Sequence, residues 1–275
     1  MTDPASLYSR SFGHGPRTVL ALHCTIAHSG AWRGVATEME DEITMLAPDM
    51  FSHGRSPDWD ETGDFSDLMN NAILRLIDRP MDVVGHSFGA VLALRLAAEH
   101  PQLVRTLTLI EPVFFAVAMQ DTPNDLAREQ EAMRPVNDAL EAGDRELAAR
   151  LFNRAWGDGL TRWPDLREET RAAMARGIHV LPASNSVLYE DRPGLLRPER
   201  LQALTMPVLL MRGGKSAEIM TTVIDGLARR IPQSETGVVE GAGHMLPITH
   251  PQETVSHLRH QFARIADSAG PEDVA

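Results

Sequence analysis

One cysteine, Cys24, stands in 275 residues, so no internal disulfide can form and a reducing compartment is the natural expectation. No run approaches the roughly 18 consecutive apolar residues of a membrane-spanning helix. The opening MTDPASLYSRSFGHGPR has no apolar core of signal-peptide length. A cytoplasmic address is therefore expected. Positive charge is scarce: 26 Lys and Arg against 38 Asp and Glu leave a net charge of -12, which repels phosphate backbones and anionic membranes. Neither nucleic acid nor a membrane surface is an expected partner. No His, Cys or carboxylate cluster has metal-ligand spacing, and GHSFG is the only glycine-rich loop near a helix start, so no metal and no other cofactor is implied. What is present is 43% hydrophobic and 23% charged residues, an ordinary globular composition long enough to bury a substantial core.

Short apolar runs rich in strand formers alternate with helical periodicity. Thr18 to His23 (TVLALH) reads as a strand, followed by a loop and a helix-like stretch from Gly30. A second strand, Ile43 to Pro48 (ITMLAP), leads into a turn-rich stretch over 49–57. Asp64 to Arg79 has helical spacing, Met81 to Gly85 is a short buried strand, and Ala90 to His100 is a helix that Pro101 ends before the strand Val104 to Ile110. Repeated βα alternation predicts an α/β protein with a mostly parallel sheet and helices on both faces.

The alternation breaks at Pro112 and resumes near Pro207. Between them lie helix-favouring segments such as Asp138 to Trp156 and Asp165 to Arg176, with no convincing strand, which reads as a helical cap inserted into the core. A strand over Pro207 to Arg212, a helix around Thr221 to Arg230, a strand over Glu235 to Val239 and a final helix after Pro251 complete the pattern. The expected organisation is a core over 1–111, a cap over 112–206, the rest of the core over 207–267, and a frayed tail over 268–275.

Gly85-His86-Ser87-Phe88-Gly89 matches the G-x-S-x-G turn, in which small residues on either side let a strand swing sharply into a helix and expose the serine. The preceding strand and following helix supply the required context. A serine hydroxyl also needs a base to take its proton as it attacks a carbonyl. His244, in the glycine-rich loop GAGHMLP, is the candidate; His23, His53 and His86 read as structural, and His250 as a residue at a helix start.

Together with LALHCTIAHSGAW, APDMFSHGRS and GAGHMLPITHP, this turn makes the chain resemble the α/β-hydrolase superfamily along nearly its whole length. The resemblance implies Ser87 as nucleophile and His244 as base, with oxyanion donors at the backbone N–H groups of Phe88 and Thr25. Cys24 departs from the glycine that relatives carry in the first of these loops. It is expected to line the substrate pocket as a small buried hydrophobe rather than act as a second nucleophile. A larger departure is Ser216, which stands where many relatives carry the acid of the triad. Glu111, at the end of the strand after the nucleophile helix, occupies the position used by a subgroup that includes haloalkane dehalogenases. Glu218, two residues beyond Ser216, competes with it.

Dehalogenases and epoxide hydrolases of this superfamily use an aspartate nucleophile, which Ser87 replaces. The expected activity is hydrolysis of a small carboxylic ester through an acyl-enzyme. Amide, lactone, thioester and carbon–carbon cleavage, cofactor-free perhydrolysis, and a ligand-binding signalling role all remain open, as does the oligomeric state. The substrate is expected to be a small molecule, with Phe114 and Phe115 lining its apolar pocket.

Overall fold

The computed structural model describes residues 6–266, so the expected tail over 268–275 lies outside the described residues. Seven strands form one sheet: β1 (Ser9–Phe12), β2 (Arg17–Leu22), β3 (Ile43–Pro48), β4 (Met81–His86), β5 (Val104–Ile110), β6 (Val208–Gly213) and β7 (Ser234–Val239). Their order is β1-β3-β2-β4-β5-β6-β7, all parallel except β1, which pairs antiparallel with β3 from Ser9 opposite Pro48 to Phe12 opposite Met45. Strand β1 has no counterpart in the sequence reading. Its four residues, SRSF, carry little apolar signal, and the free edge of β3 makes them a strand.

Alternation within each strand feeds two cores. Val19 and Ala21 of β2 and Leu209 and Met211 of β6 face one side, where α1 (Arg33–Glu38) and the last helix pack. Leu20, Leu22, Val208 and Leu210 face the other. There they meet α2 (Phe65–Leu74), α3 (Phe88–Glu99) and the later helix over Glu218–Arg230. Each fully buried Leu or Val contributes about 1.5–3 kcal/mol relative to exposure.

Helix α2 starts where Asp64 accepts the N–H of Asp67 at 2.9 Å, and it stops at Leu74 rather than running to Arg79. At the amino-terminal end of the sheet, fully buried Asp82 of β4 is held by Arg17, Arg105 and the Thr106 hydroxyl. That carboxylate ties β2, β4 and β5 together at the end remote from Ser87.

Between β5 and β6 every assigned element is helical: α4 (Ala116–Asp121), α5 (Pro123–Glu141), α6 (Arg145–Trp156), α7 (Glu168–Gly177), α8 (Val180–Ala183), α9 (Asn185–Leu188) and α10 (Pro198–Gln202). The single helix read over Asp138 to Trp156 is in fact the end of α5 and all of α6. Gly143, at φ +76°, breaks it, and Asp144 caps the new start by accepting the Leu147 N–H at 2.9 Å. The chain ends with α11 (Glu218–Arg230), α12 (Leu246–Thr249) and α13 (Pro251–Ala266).

Candidate active site

Ser87 sits at the junction of β4 and α3 with φ +57° and ψ -118°, a conformation that costs a non-glycine residue about 1–3 kcal/mol. Two neighbours make it possible. A Cβ on Gly85 would lie 2.3 Å from the Gly89 carbonyl oxygen, and one on Gly89 would lie 2.3 Å from that of Leu22. The backbone on either side of Ser87 is thus closer than any side chain permits. The Ser87 N–H donates to the Ile110 carbonyl at 2.8 Å, which extends the β4–β5 ladder by one rung and holds the strained residue.

The same device recurs one strand along. Glu111, at φ +52°, donates its N–H to the Met211 carbonyl at 2.8 Å. Its side chain is fully buried and points back over the sheet edge. Oε2 lies 2.9 Å from Nδ1 of His244, while Oε1 accepts the Gly213 N–H and the Ser216 hydroxyl, both at 2.7 Å. Nε2 of His244 lies 3.0 Å from the Ser87 hydroxyl. A carboxylate only accepts, so Nδ1 carries the hydrogen and Nε2 is left to accept from serine. Glu218 is exposed at the start of α11 and takes no part in these contacts.

The other buried histidines hold loops. His86 donates from Nε2 to the His244 carbonyl at 2.8 Å. His23 donates from Nδ1 to the Cys24 carbonyl and accepts the Met50 N–H; His53 donates from Nδ1 to the Phe51 carbonyl and accepts the Ile26 N–H. Burial pushes these rings down, to about 4 for His23 and about 3 for His53 and His86, so each is neutral with one nitrogen accepting or free. His250 immediately precedes α13, and its carbonyl accepts the Thr254 N–H in the first turn.

Cys24 needs no glycine-like backbone. The left-handed residue of its loop is Ile26, at φ +58°, an unusual place for a branched side chain, fixed there by His53. Burial raises the Cys24 thiol to about 12, which leaves it a packing group and not a nucleophile. Phe88 is the first residue of α3, and an N–H in the first turn of a helix has no partner within that helix.

Ser87 and Thr25 border two cavities, of about 480 and 420 Å³. His244 and Cys24 line the larger; Phe115, Met133, Tyr189 and Glu129 line the smaller. Phe152 and Trp156 of α6 stand between them as a wall common to both. The Trp156 indole also meets the His244 ring edge-on at 4.7 Å between centroids, which helps to bury that ring. Phe115, which lines the smaller cavity, stacks on Tyr189 at 5.1 Å. The expectation for Phe114 is corrected: it is fully buried in the core beneath the cavity and lines neither one. Val113 and Phe115 face the opening, and the residue between them faces inward.

Sequence reasoning did not find Trp156, or the bond from Ser216 to Glu111, because both depend on how remote segments meet. Among the described residues no group of three His, Cys, Asp or Glu side chains is placed to hold a metal ion, and no helix is long and apolar enough to cross a membrane.

A serine, an imidazole and a carboxylate linked in series at the carboxyl ends of a parallel sheet define a hydrolase-type site. The chain belongs to the alpha/beta hydrolase family, whose model matches residues 19–257. It is similar to lipase LipV of Mycobacterium tuberculosis, 30% identical over 262 residues that span 90% of this chain and 94% of that protein. It is also similar to a pimeloyl-acyl-carrier-protein methyl ester esterase of Nitrosomonas europaea, 27% identical over 92% of this chain and 98% of that one. Among solved structures, a thermophilic esterase from Thermogutta terrifontis shares the fold, with TM-score 0.69 and 18% identity over 94% of this chain and 93% of its own.

Proposed function

We propose that the chain hydrolyses small carboxylic esters through an acyl-enzyme on Ser87, with His244 as base and Glu111 as the acid that orients it. The observation that carries this reading is the continuous series Ser87 Oγ, His244 Nε2 at 3.0 Å, His244 Nδ1, Glu111 Oε2 at 2.9 Å. The lipase and esterase among the relatives support the ester as the bond cleaved.

In the first half-reaction the Ser87 oxygen attacks the carbonyl carbon and its proton passes to Nε2 of His244. The imidazolium is stabilised by Glu111, and the oxyanion is met by the N–H groups of Phe88 and Thr25, the first also favoured by the α3 dipole. When the tetrahedral species collapses, the C–O bond to the alcohol breaks and His244 returns the proton to the departing oxygen. Water then repeats the sequence on the acyl-serine and frees the acid. Because the departing oxygen takes its proton from His244, the alcohol belongs in the larger cavity, which His244 lines, and the acyl group in the smaller.

A fluorophosphonate tests the nucleophile, since it phosphonylates an activated serine and spares ordinary hydroxyls. Stoichiometric label on Ser87, together with repeated turnover of short-chain esters, is the expected result. Label on another residue, or a stall after about one equivalent of product as in a ligand-binding signalling protein, overturns the reading.

A further inference from the structure

The smaller cavity holds a charge that its walls do not neutralise. Glu129 projects into it from α5, and Glu190 stands at its margin; no Lys, Arg or His lines it. Among the described residues the Glu129 side chain makes no hydrogen bond and no ion pair. Its neighbours on the same helix differ: Asp125 pairs with Arg128, and Glu131 pairs with Arg134 at 2.8 Å. The arginines of α5 are thus engaged along its outer face, and the half-buried carboxylate on the cavity face is left alone.

Burial pushes the Glu129 carboxyl above its ordinary range, with the charge of His244 only partly opposing the effect. Tyr189, which lines the same cavity, is raised chiefly by its own burial and further by the charge of Glu129. The Gln130, Asn137 and Asn185 amides and the Tyr189 hydroxyl also line the cavity, yet none of them hydrogen-bonds to Glu129, and Phe115, Met133 and Trp156 present apolar and aromatic faces. A carboxylate among aromatic rings, unpaired and opening on a cavity, is complementary to one chemistry above others. An ammonium supplies the missing donor and opposite charge, and the rings accept its C–H and N–H groups on their faces.

We propose that this cavity selects acyl groups bearing a protonated amine, and that Glu129 is the residue that selects them. The inference rests on the assignment of the acyl group to the smaller cavity made under the proposed function. Glu129 is a specificity residue in this account; it touches the far end of the substrate and none of the reacting atoms.

The test uses methyl esters of a graded series of straight-chain, ω-amino and ω-carboxy acids, followed by methanol release. At the best-fitting length the ω-amino ester should exceed the straight-chain ester of equal length by about tenfold or more in kcat/KM, and the ω-carboxy ester should be the poorest. Glu129→Gln should bring the amino-to-straight-chain ratio near one, and Glu129→Lys should turn the preference toward the ω-carboxy ester. A ratio taken within one preparation does not depend on how much of a variant folds. A wild-type ratio at or below one across the series, or a preference that survives in Glu129→Gln, overturns the proposal. If straight-chain esters turn over and Ser87 takes the fluorophosphonate, that failure belongs to the Glu129 inference alone. If no ester is cleaved and Ser87 stays unlabelled, both readings fall together.

Discussion

Replacing Glu111 with glutamine changes one oxygen to an amide nitrogen, and the surroundings decide which one. Oε1 accepts two hydrogen bonds, from the Gly213 N–H and the Ser216 hydroxyl, each at 2.7 Å. The new side chain must keep its carbonyl oxygen there, since an NH2 group would face two donors. Its NH2 therefore points at Nδ1 of His244, where the carboxylate oxygen now lies at 2.9 Å. Two donors cannot share that contact, so the ring is driven to the tautomer with hydrogen on Nε2. That hydrogen then faces the Ser87 hydroxyl and blocks proton transfer.

Loss of turnover in other triads when the carboxylate becomes an amide is roughly 10⁴-fold in kcat, or about 5 kcal/mol of barrier at about 1.4 kcal/mol per tenfold. We expect a loss of roughly 10³- to 10⁴-fold for Glu111→Gln. The melting temperature should barely change, because the carbonyl oxygen keeps both of its buried donors satisfied. Ester turnover and the imidazole nitrogen shifts of His244 are the two measurements. Turnover within about tenfold of wild type, or a His244 ring still protonated on Nδ1, refutes the reasoning. Ser216→Asp in the same background returns a carboxylate to within reach of the site and should recover part of the loss.

Phe114→Ala should destabilise the fold by about 3–5 kcal/mol with little change in acyl-length preference, whereas Phe115→Ala should shift that preference toward longer acyl groups; urea titration and an ester panel check both, and the reverse pattern would restore Phe114 to the cavity. Acid should weaken the fold. His23, His53 and His86 have folded values lowered from 6.5 to about 4, 3 and 3, so the unfolded chain binds more protons, and their contribution is complete above about pH 6.5 and lost as pH falls below it. Each ring costs up to about 1.4 kcal/mol per pH unit in that window. A urea midpoint unchanged between about pH 7 and about pH 5 would contradict it.

What could be read from the sequence was what short segments encode by themselves. Val104 to Ile110 and Ile43 to Pro48 are strands over the very residues that their apolar runs mark, since a strand buried on both faces needs no partner to reveal it. The turn around Ser87 was legible because its glycines stand at fixed spacing about the serine, between a strand and a helix that short segments reveal, although the contact that requires Gly89 comes from remote Leu22. Glu111 and Glu218 could not be separated that way, because both follow strands ending at the same rim of the sheet, and what distinguishes them is that the chain buries Glu111 directly after β5 and leaves Glu218 exposed at the start of α11. The cavity walls were illegible for a further reason. Helical spacing in α5 and α6 gives an apolar face, but which of Glu129, Met133 or Trp156 meets the cavity depends on how those helices turn over the core. The break at Gly143, with open space around it, left no local signal beyond one glycine.

The wall between the cavities has a bearing on how this enzyme can diversify. Positions that line a single cavity, such as Tyr189 on one side or Met174 and Ile248 on the other, can change the shape of that cavity without touching the other. Trp156 has no such freedom. It borders both cavities, leans on His244, and donates its indole N–H to the Met133 sulfur at 3.2 Å. A substitution there alters both cavities and the cover over His244 in one step, so its effects cannot add simply to those of its neighbours. Selection for a new substrate will therefore move through the one-sided positions first, and Trp156 will change only in combinations that replace its several roles together.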